Sequence, residues 1–224
     1  LLEQPDGQEL LGVEREVTIL FVDIRRFTRL SEGMNAGDVV SLLNDIFQRI
    51  TNCIHHNNGT IDKFIGDSVM AYFGAPVPQP DHPVNAVSAA MDIQQAIEER
   101  NAALQDKPDG PVDVDLGIGI HTGHVIVGNI GCDRRMDFTA IGDAVNVAHR
   151  LEKLAAPGQI LISEAVQLKV RGNFKLNFEG ERQLSGRVEP VHVYSVDNAS
   201  SRTSLSPTPR EDSTVEGSSR ETTP

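Results

Sequence analysis

The chain has 224 residues, enough for one sizeable domain with tails, and 39% of them are hydrophobic. Lys+Arg number 20 against Asp+Glu 32, a formal net charge of −12, so there is no basic footprint for nucleic acid or an anionic membrane. No run of about 18 apolar residues is present to span a bilayer, the start LLEQPDGQEL lacks the basic and apolar regions of a signal peptide, and the expected location is cytoplasmic.

Residues 1–14 are acidic and aperiodic and read as a linker from something upstream. Val17–Asp23 (VTILFVD) is a continuous apolar run ending in an acid, the pattern of a strand buried on both faces. A carboxylate there can cap the next turn or hold a metal at the sheet's edge. Ile24–Leu30 reads as a short turn, and from Gly37 to His56 the residues Val39, Leu42, Leu43, Ile46, Ile50 and Ile54 recur at helical spacing. Asn57-Asn58-Gly59 closes that helix.

Gly59–Gly74 (GTIDKFIGDSVMAYFG) holds two β-forming runs around Gly66-Asp67, a Gly-X loop that predicts a type II′ hairpin. Asp67 then sits at the tip, with Lys63 on the incoming strand. A turn aspartate beside a solvated lysine is the plain alternative to a functional pair. A proline-rich loop follows to Pro83, then a helix to about Leu104 with Val87, Ala90, Met91, Ile93 and Ile97 on one face, broken by Lys107–Pro111.

Val112–Ile130 reads as a second hairpin, with alternation from Val112 to Ile120, a turn at Thr122-Gly123 and a return over His124–Gly128. The order is then β-α-β-β-α-β with an added strand: an α+β, ferredoxin-like βαββαβ core, with helices on one face and the other free for a partner. Residues 133–142 read as a polar loop and Asp143–Ala155 as a helix with an apolar stripe of Val145, Ala148, Leu151 and Leu154. Asn146 and Arg150 share its polar face at i, i+4, and a solvated pair is one reading of them. A strand at Gln159–Ile162, a helix at Glu164–Val170 and strands at Phe174–Leu184 and Val191–Val196 complete the domain.

From residue 199 to 224 the chain is mostly Ser, Thr, Pro, Arg and Glu and is expected to be disordered. Cys53 and Cys132 read as reduced thiols, one on a helix and one in a loop, and the seven histidines form no HxxxH or HExxH pattern, which disfavours zinc.

Four segments in order, FVDIRRFT, GTIDKFIGDSVMAYFG, GIHTGHVIVGNIG and DFTAIGDAVNVAHRLE, resemble the catalytic domain of class III nucleotidyl cyclases. Within that family the details look nearest to cyanobacterial CyaC-type and soluble, bicarbonate-responsive adenylyl cyclases. The resemblance covers roughly residues 14–196, so the domain is expected over 15–198.

It implies a homodimer with shared active sites that converts ATP to 3′,5′-cyclic AMP and pyrophosphate, served by two Mg²⁺ or Mn²⁺ ions per site and controlled by upstream regulatory domains. Asp23 and Asp67 match the metal-binding aspartates, helped by the Ile24 carbonyl. Phe27 and Thr28 match positions whose amides cradle the triphosphate, and Lys63 and Thr139 match the pair that reads the purine. Asn146 matches the ribose-orienting residue and Arg150 the one that stabilises the transition state. Asp23 and Asp67 would come from one subunit, and Lys63, Thr139, Asn146 and Arg150 from the other.

The sequence departs from the family pattern in three places. Thr139 replaces the Asp of many adenylyl cyclases, and a hydroxyl can donate as well as accept. A basic phosphate contact near Ser185 would fall to Arg182 or Arg187, and another phosphate-contacting arginine falls at His124. A guanylyl or dual-specificity cyclase and an inactive nucleotide-binding signalling module are the alternatives.

Overall fold

The computed structural model describes residues 12–104, 112–132, 134–183 and 190–197. The expectations for most of the 1–14 linker, the break at 107–111, Arg187 and the 199–224 tail lie outside the described residues.

Strand β1 (Val13–Ile24) is followed by a short helix α1 (Phe27–Ser31) and a long helix α2 (Ala36–His56). Strands β2 (Thr60–Ile65) and β3 (Ser68–Phe73) form the expected hairpin. Gly66 has φ 62, as the first central position of a II′ turn requires. Helix α3 (His82–Leu104) leads to β4 (Leu116–Cys132) and β5 (Arg135–Ile141). Helix α4 (Asp143–Leu154), β6 (Ile160–Ser163), α5 (Glu164–Lys169), β7 (Leu176–Arg182) and β8 (Val191–Val196) follow. One eight-stranded sheet runs in the order β2-β3-β1-β4-β6-β8-β7, with β5 also paired to β4. This is the expected α+β class, with the additional C-terminal strands extending the core.

The alternation of β1 divides the core. Leu20, Val22 and Ile24 pack with Leu42, Ile46 and Ile50 of α2 and Ala86, Val87, Ala90 and Ile93 of α3. Val17, Ile19 and Phe21 face the other way, onto Ala144 and Ala148 of α4. The sheet is therefore covered on both faces around β1, not on one as expected. An uninterrupted apolar strand has no solvent face to spare, so its second face needs a cover.

Four other expectations fail locally. β1 begins at Val13, so Glu14 and Glu16 belong to a strand and pair with Ile126 and His124. The chain does not turn at Thr122-Gly123, because β4 runs unbroken and pairs with β1 from Leu116 to Val127. Its glycines serve close approach instead. Gly119 lies under the α4 backbone, Gly117 under Arg25, and a Cβ on Gly123 would stand 3.0 Å from that of Ala144. The hairpin partner of β4 is β5, built from residues read as a polar loop, and Cys132 ends β4 and does not lie in a loop. Both cysteines are free thiols. Among the described residues no helix is long and apolar enough to cross a membrane, which does not bear on β-barrels.

Candidate active site

Asp23 is the penultimate residue of β1, directly across from Ser68 of β3, and so stands beside the hairpin tip. Ser68 Oγ donates to Asp23 Oδ2 at 2.6 Å, and Lys153 Nζ donates to the same oxygen at 2.8 Å. Burial alone would raise the Asp23 carboxyl. The hydrogen bonds from Lys153 and Ser68 and the charges of Lys153 and Arg25 overcome that and hold it below the usual carboxylate range. Asp67 behaves in the opposite way. Burial raises it first and the Asp23 charge second, with Lys153 and Arg25 giving partial relief. Two neighbouring carboxylates that feel each other's charge are a suitable donor set for a hard cation. Ile24 follows with its side chain in the core, which leaves its backbone as the only group it can offer. Among the described residues no group of three or more His, Cys, Asp or Glu is placed to hold a metal, so added oxygen donors would have to come from substrate or water.

Beyond Ile24, Arg26 adopts a left-handed φ of 60 and starts α1 without a side-chain cap. The first-turn amides, including those of Phe27 and Thr28, have no partner within the helix. Arg25 reaches inward, where its Nη2 donates to the Glu152 carbonyl at 2.6 Å and also to the Glu152 carboxylate. Glu152 is 0% exposed. Burial first, then the Asp23 charge, raises its carboxyl, while Arg25 and Lys153 lower it. This buried pair ties α4 to the end of β1. The sequence reading missed it, since Glu152 looked like one more polar residue on a helix.

The apolar stripe of α4 is also rotated from the expected one. Ala144, Val147, Ala148 and Leu151 are buried, whereas Leu154 is 47% exposed. Small residues face the sheet because the helix lies directly on Gly119. Asn146 is exposed and Arg150 is half-buried. Arg150 Nη1 is buried without a hydrogen-bond partner, and among the described residues no carboxylate pairs with it.

Lys63 and Thr139 meet through a residue the sequence reading did not single out. The β2–β3 register slips between Ile61 and Lys63, a bulge that re-aims Asp62. The Asp62 side chain is 0% exposed, with Lys63 Nζ 3.3 Å from its Oδ2. Thr139 Oγ1, on β5, donates to that same oxygen at 3.0 Å. The visible signal was an acid next to Lys63, but strict alternation would send the two side chains to opposite faces.

The remaining candidates lie apart. His124 is exposed, 3.6 Å from Glu14. Arg182 ends β7, the outermost strand at the far side of the sheet. Among the described residues, four buried polar side-chain atoms lack a hydrogen-bond partner: Arg25 Nε, Asp62 Oδ1, Arg150 Nη1 and Glu152 Oε2. All four belong to the groups just described.

The Asp23–Asp67 pair is thus backed by α4 through Lys153, and the same helix carries Arg150 with a buried nitrogen that lacks a hydrogen-bond partner. Residues 12–198 match the family described as the adenylate and guanylate cyclase catalytic domain, and the chain belongs to that family. It is 35% identical over 184 residues to adenylate cyclase 1 of Rhizobium meliloti, covering 81% of this chain and 27% of that protein. Against the adenylate cyclase of Anabaena cylindrica it is 37% identical over 203 residues, 86% of this chain and 39% of the relative. The chain thus spans well under half the length of these curated relatives. Among solved structures it superposes on the adenylyl cyclase CyaB of P. aeruginosa with a TM-score of 0.81 at 34% identity, covering 87% of this chain and 99% of that one. The guanylyl cyclase Cya2 gives a TM-score of 0.79 at 36% identity, covering 87% of this chain and 98% of that one.

Proposed function

We propose that this domain is an adenylyl cyclase that converts ATP to 3′,5′-cyclic AMP and pyrophosphate, working as a homodimer with sites shared across its interface. The observation that carries this reading is the convergence of Lys63 and Thr139 on one buried carboxylate, Asp62, 77 positions from Thr139 in sequence. Adenine presents an acceptor at N1 and a donor at N6, which a lysine and a hydroxyl can satisfy.

The ribose 3′-hydroxyl gives up its proton to solvent, its oxygen bonds to the α-phosphorus, the bond to the bridging oxygen of the β-phosphate breaks, and pyrophosphate leaves. Asp23 and Asp67, with the Ile24 carbonyl, would hold two Mg²⁺ or Mn²⁺ ions, which supply an acidified 3′-hydroxyl and charge neutralisation on the phosphates. Lys153 serves as the counter-charge on Asp23 and has Glu152 Oε2 within 3.5 Å as a second partner. Amides of Phe27 and Thr28 bind phosphate oxygens. Asn146 orients the ribose, and Arg150, with its unmatched buried Nη1, meets the charge that grows on the α-phosphate. The exposed apolar side chains Ile126, Met136, Phe138 and Ile141 on the β4–β5 ribbon support a second copy as the partner.

The test is to incubate the purified chain with ATP or GTP and Mg²⁺ or Mn²⁺ and to identify the products, with and without bicarbonate. Cyclic AMP from ATP is expected. Cyclic GMP as the dominant product would reassign the base, and no cyclic product under any condition would leave a nucleotide-binding module. A rise with bicarbonate would extend the likeness to the bicarbonate-responsive members.

A further inference from the structure

We infer that Asp62 sets the base specificity of this site by fixing which way the Thr139 hydroxyl and the Lys63 ammonium face. The inference rests on the cyclase reading above and supplies the specificity that Thr139 alone leaves open.

A threonine hydroxyl has one proton to donate and lone pairs to accept with, so by itself it suits the 6-amino group of adenine or the 6-oxo group of guanine equally. An aspartate carboxylate only accepts. Thr139 Oγ1 donates to Asp62 Oδ2 at 3.0 Å, so its proton is committed within the protein. What the hydroxyl then offers a purine is a lone pair, matched to an amino group and mismatched to a carbonyl. The same carboxylate oxygen stands 3.3 Å from Lys63 Nζ and holds the ammonium beside Thr139, where it can donate to a ring nitrogen that accepts.

Asp62 is built for this and not solvated by chance. Its side chain is fully buried, on a bulge that turns it out of the regular alternation of an edge strand. Its Oδ1 is buried without a hydrogen-bond partner, which leaves one further acceptor unspent beside the two base-facing groups. Tyr72 lies close by, pushed up to about 12 by burial first and the Asp62 charge second. The carboxylate therefore sits over a dry core, where a misoriented dipole is costly.

Asp62→Asn tests the assignment because it keeps the shape and reverses the hydrogen bond. The new amide can donate to Thr139 Oγ1 and release the hydroxyl proton toward the base. With the full chain, kcat/KM is measured for ATP, for GTP and for purine riboside triphosphate, which carries hydrogen where ATP has its amino group. The ATP value should fall about 10–100-fold, and the ATP-to-GTP ratio should fall about tenfold or more. The loss on purine riboside triphosphate should be smaller than the loss on ATP by about threefold or more, because only the Lys63 contact to the ring nitrogen is left to weaken and there is no amino group to misread. In a Thr139→Val background, adding Asp62→Asn should lower kcat/KM for ATP only by the factor it costs purine riboside triphosphate in the wild-type background, about threefold or more below its full effect on ATP, because the Thr139 share is already gone.

Equal losses on all three nucleotides, an unchanged ATP-to-GTP ratio, or a full additional loss in the Val background would each overturn the inference. Thermal unfolding of each variant separates a damaged fold from altered selectivity. A wild-type chain that cyclises none of the three nucleotides would instead sink the cyclase reading, and this inference with it.

Discussion

Gly119→Ala is the sharpest probe of how α4 is seated. A Cβ at residue 119 would stand 2.7 Å from Glu152 Cα and closer still to Glu152 N and Ala148 O. These are backbone atoms of a helix and cannot swing aside as a side-chain end would. Carbon atoms in contact settle about 3.5–4.0 Å apart, so α4 must retreat by about 1 Å. The retreat would carry Asn146 and Arg150 with it and stretch the Arg25–Glu152 pair. Overpacking of this kind costs about 1–3 kcal/mol of stability. A displacement near 1 Å of a positioning group costs about 10²-fold in rate. The assay is cyclic-nucleotide formation at saturating ATP alongside urea denaturation, with Gly33→Ala as control because nothing lies within 4 Å of a Cβ there. Gly119→Ala with near-normal turnover would refute the claim that the glycine sets the distance between helix and sheet.

The other predictions address the network, the shared site and pH. Glu152→Ala should cost about 1–3 kcal/mol in denaturation experiments, because it removes the buried carboxylate that pairs with Arg25 and leaves the guanidinium the residue-152 carbonyl and Asp23 at 3.8 Å; no loss of stability would mean that these remaining partners satisfy the arginine. Arg150→Ala should lower turnover about 10²–10³-fold with nucleotide binding largely kept. Asp23→Ala should also be inactive, yet a 1:1 mixture of these two variants should recover about a quarter of wild-type activity, since half the dimers are mixed and one of their two sites is intact. Dead mixtures with demonstrated heterodimers would exclude shared sites.

His82 is expected to make stability fall on acidification. Its ring contacts Thr18 Oγ1 at 2.7 Å, and burial first lowers its pKa below the usual 6.5, with Lys169 adding to this and Glu16 opposing it. The unfolded chain therefore takes up the proton more readily. The stabilisation is complete above pH 6.5 and drains as pH falls through the lower folded value. Thermal midpoints from pH 8 to 5 should drop less for His82→Asn than for wild type; parallel profiles would remove His82 from the account.

The strongly periodic and turn-marked parts of the fold were legible in the sequence. β1 stood out as an apolar run ending in Asp23, the β2–β3 hairpin through Gly66-Asp67, and α2 through Leu42, Ile46, Ile50 and Ile54, all of them buried. What escaped depends on neighbours that a linear reading cannot see. Glycine in a strand signals either a turn or a close approach, and β4 uses it for the second, beneath Arg25 and α4. β5 kept Met136, Phe138 and Ile141 exposed among charges, so its alternation resembled a loop. Asp62 reached Thr139 only through a bulge, and Glu152 could be buried only because Arg25 came from the far end of the chain.

The long ladder between β1 and β4 also orders events in time. Asp23 and Ser68 pair across β1 and β3, so both strands that carry the carboxylate end of the site have been made by residue 73. The other edge of β1 must wait for Leu116–Val127, about a hundred positions later. Such non-local pairing is slow, and until it closes, the apolar run of β1 shows an open edge. Along the chain the acidic half of the site comes first, and α4, which carries the arginine, is the last of the site's elements to be made.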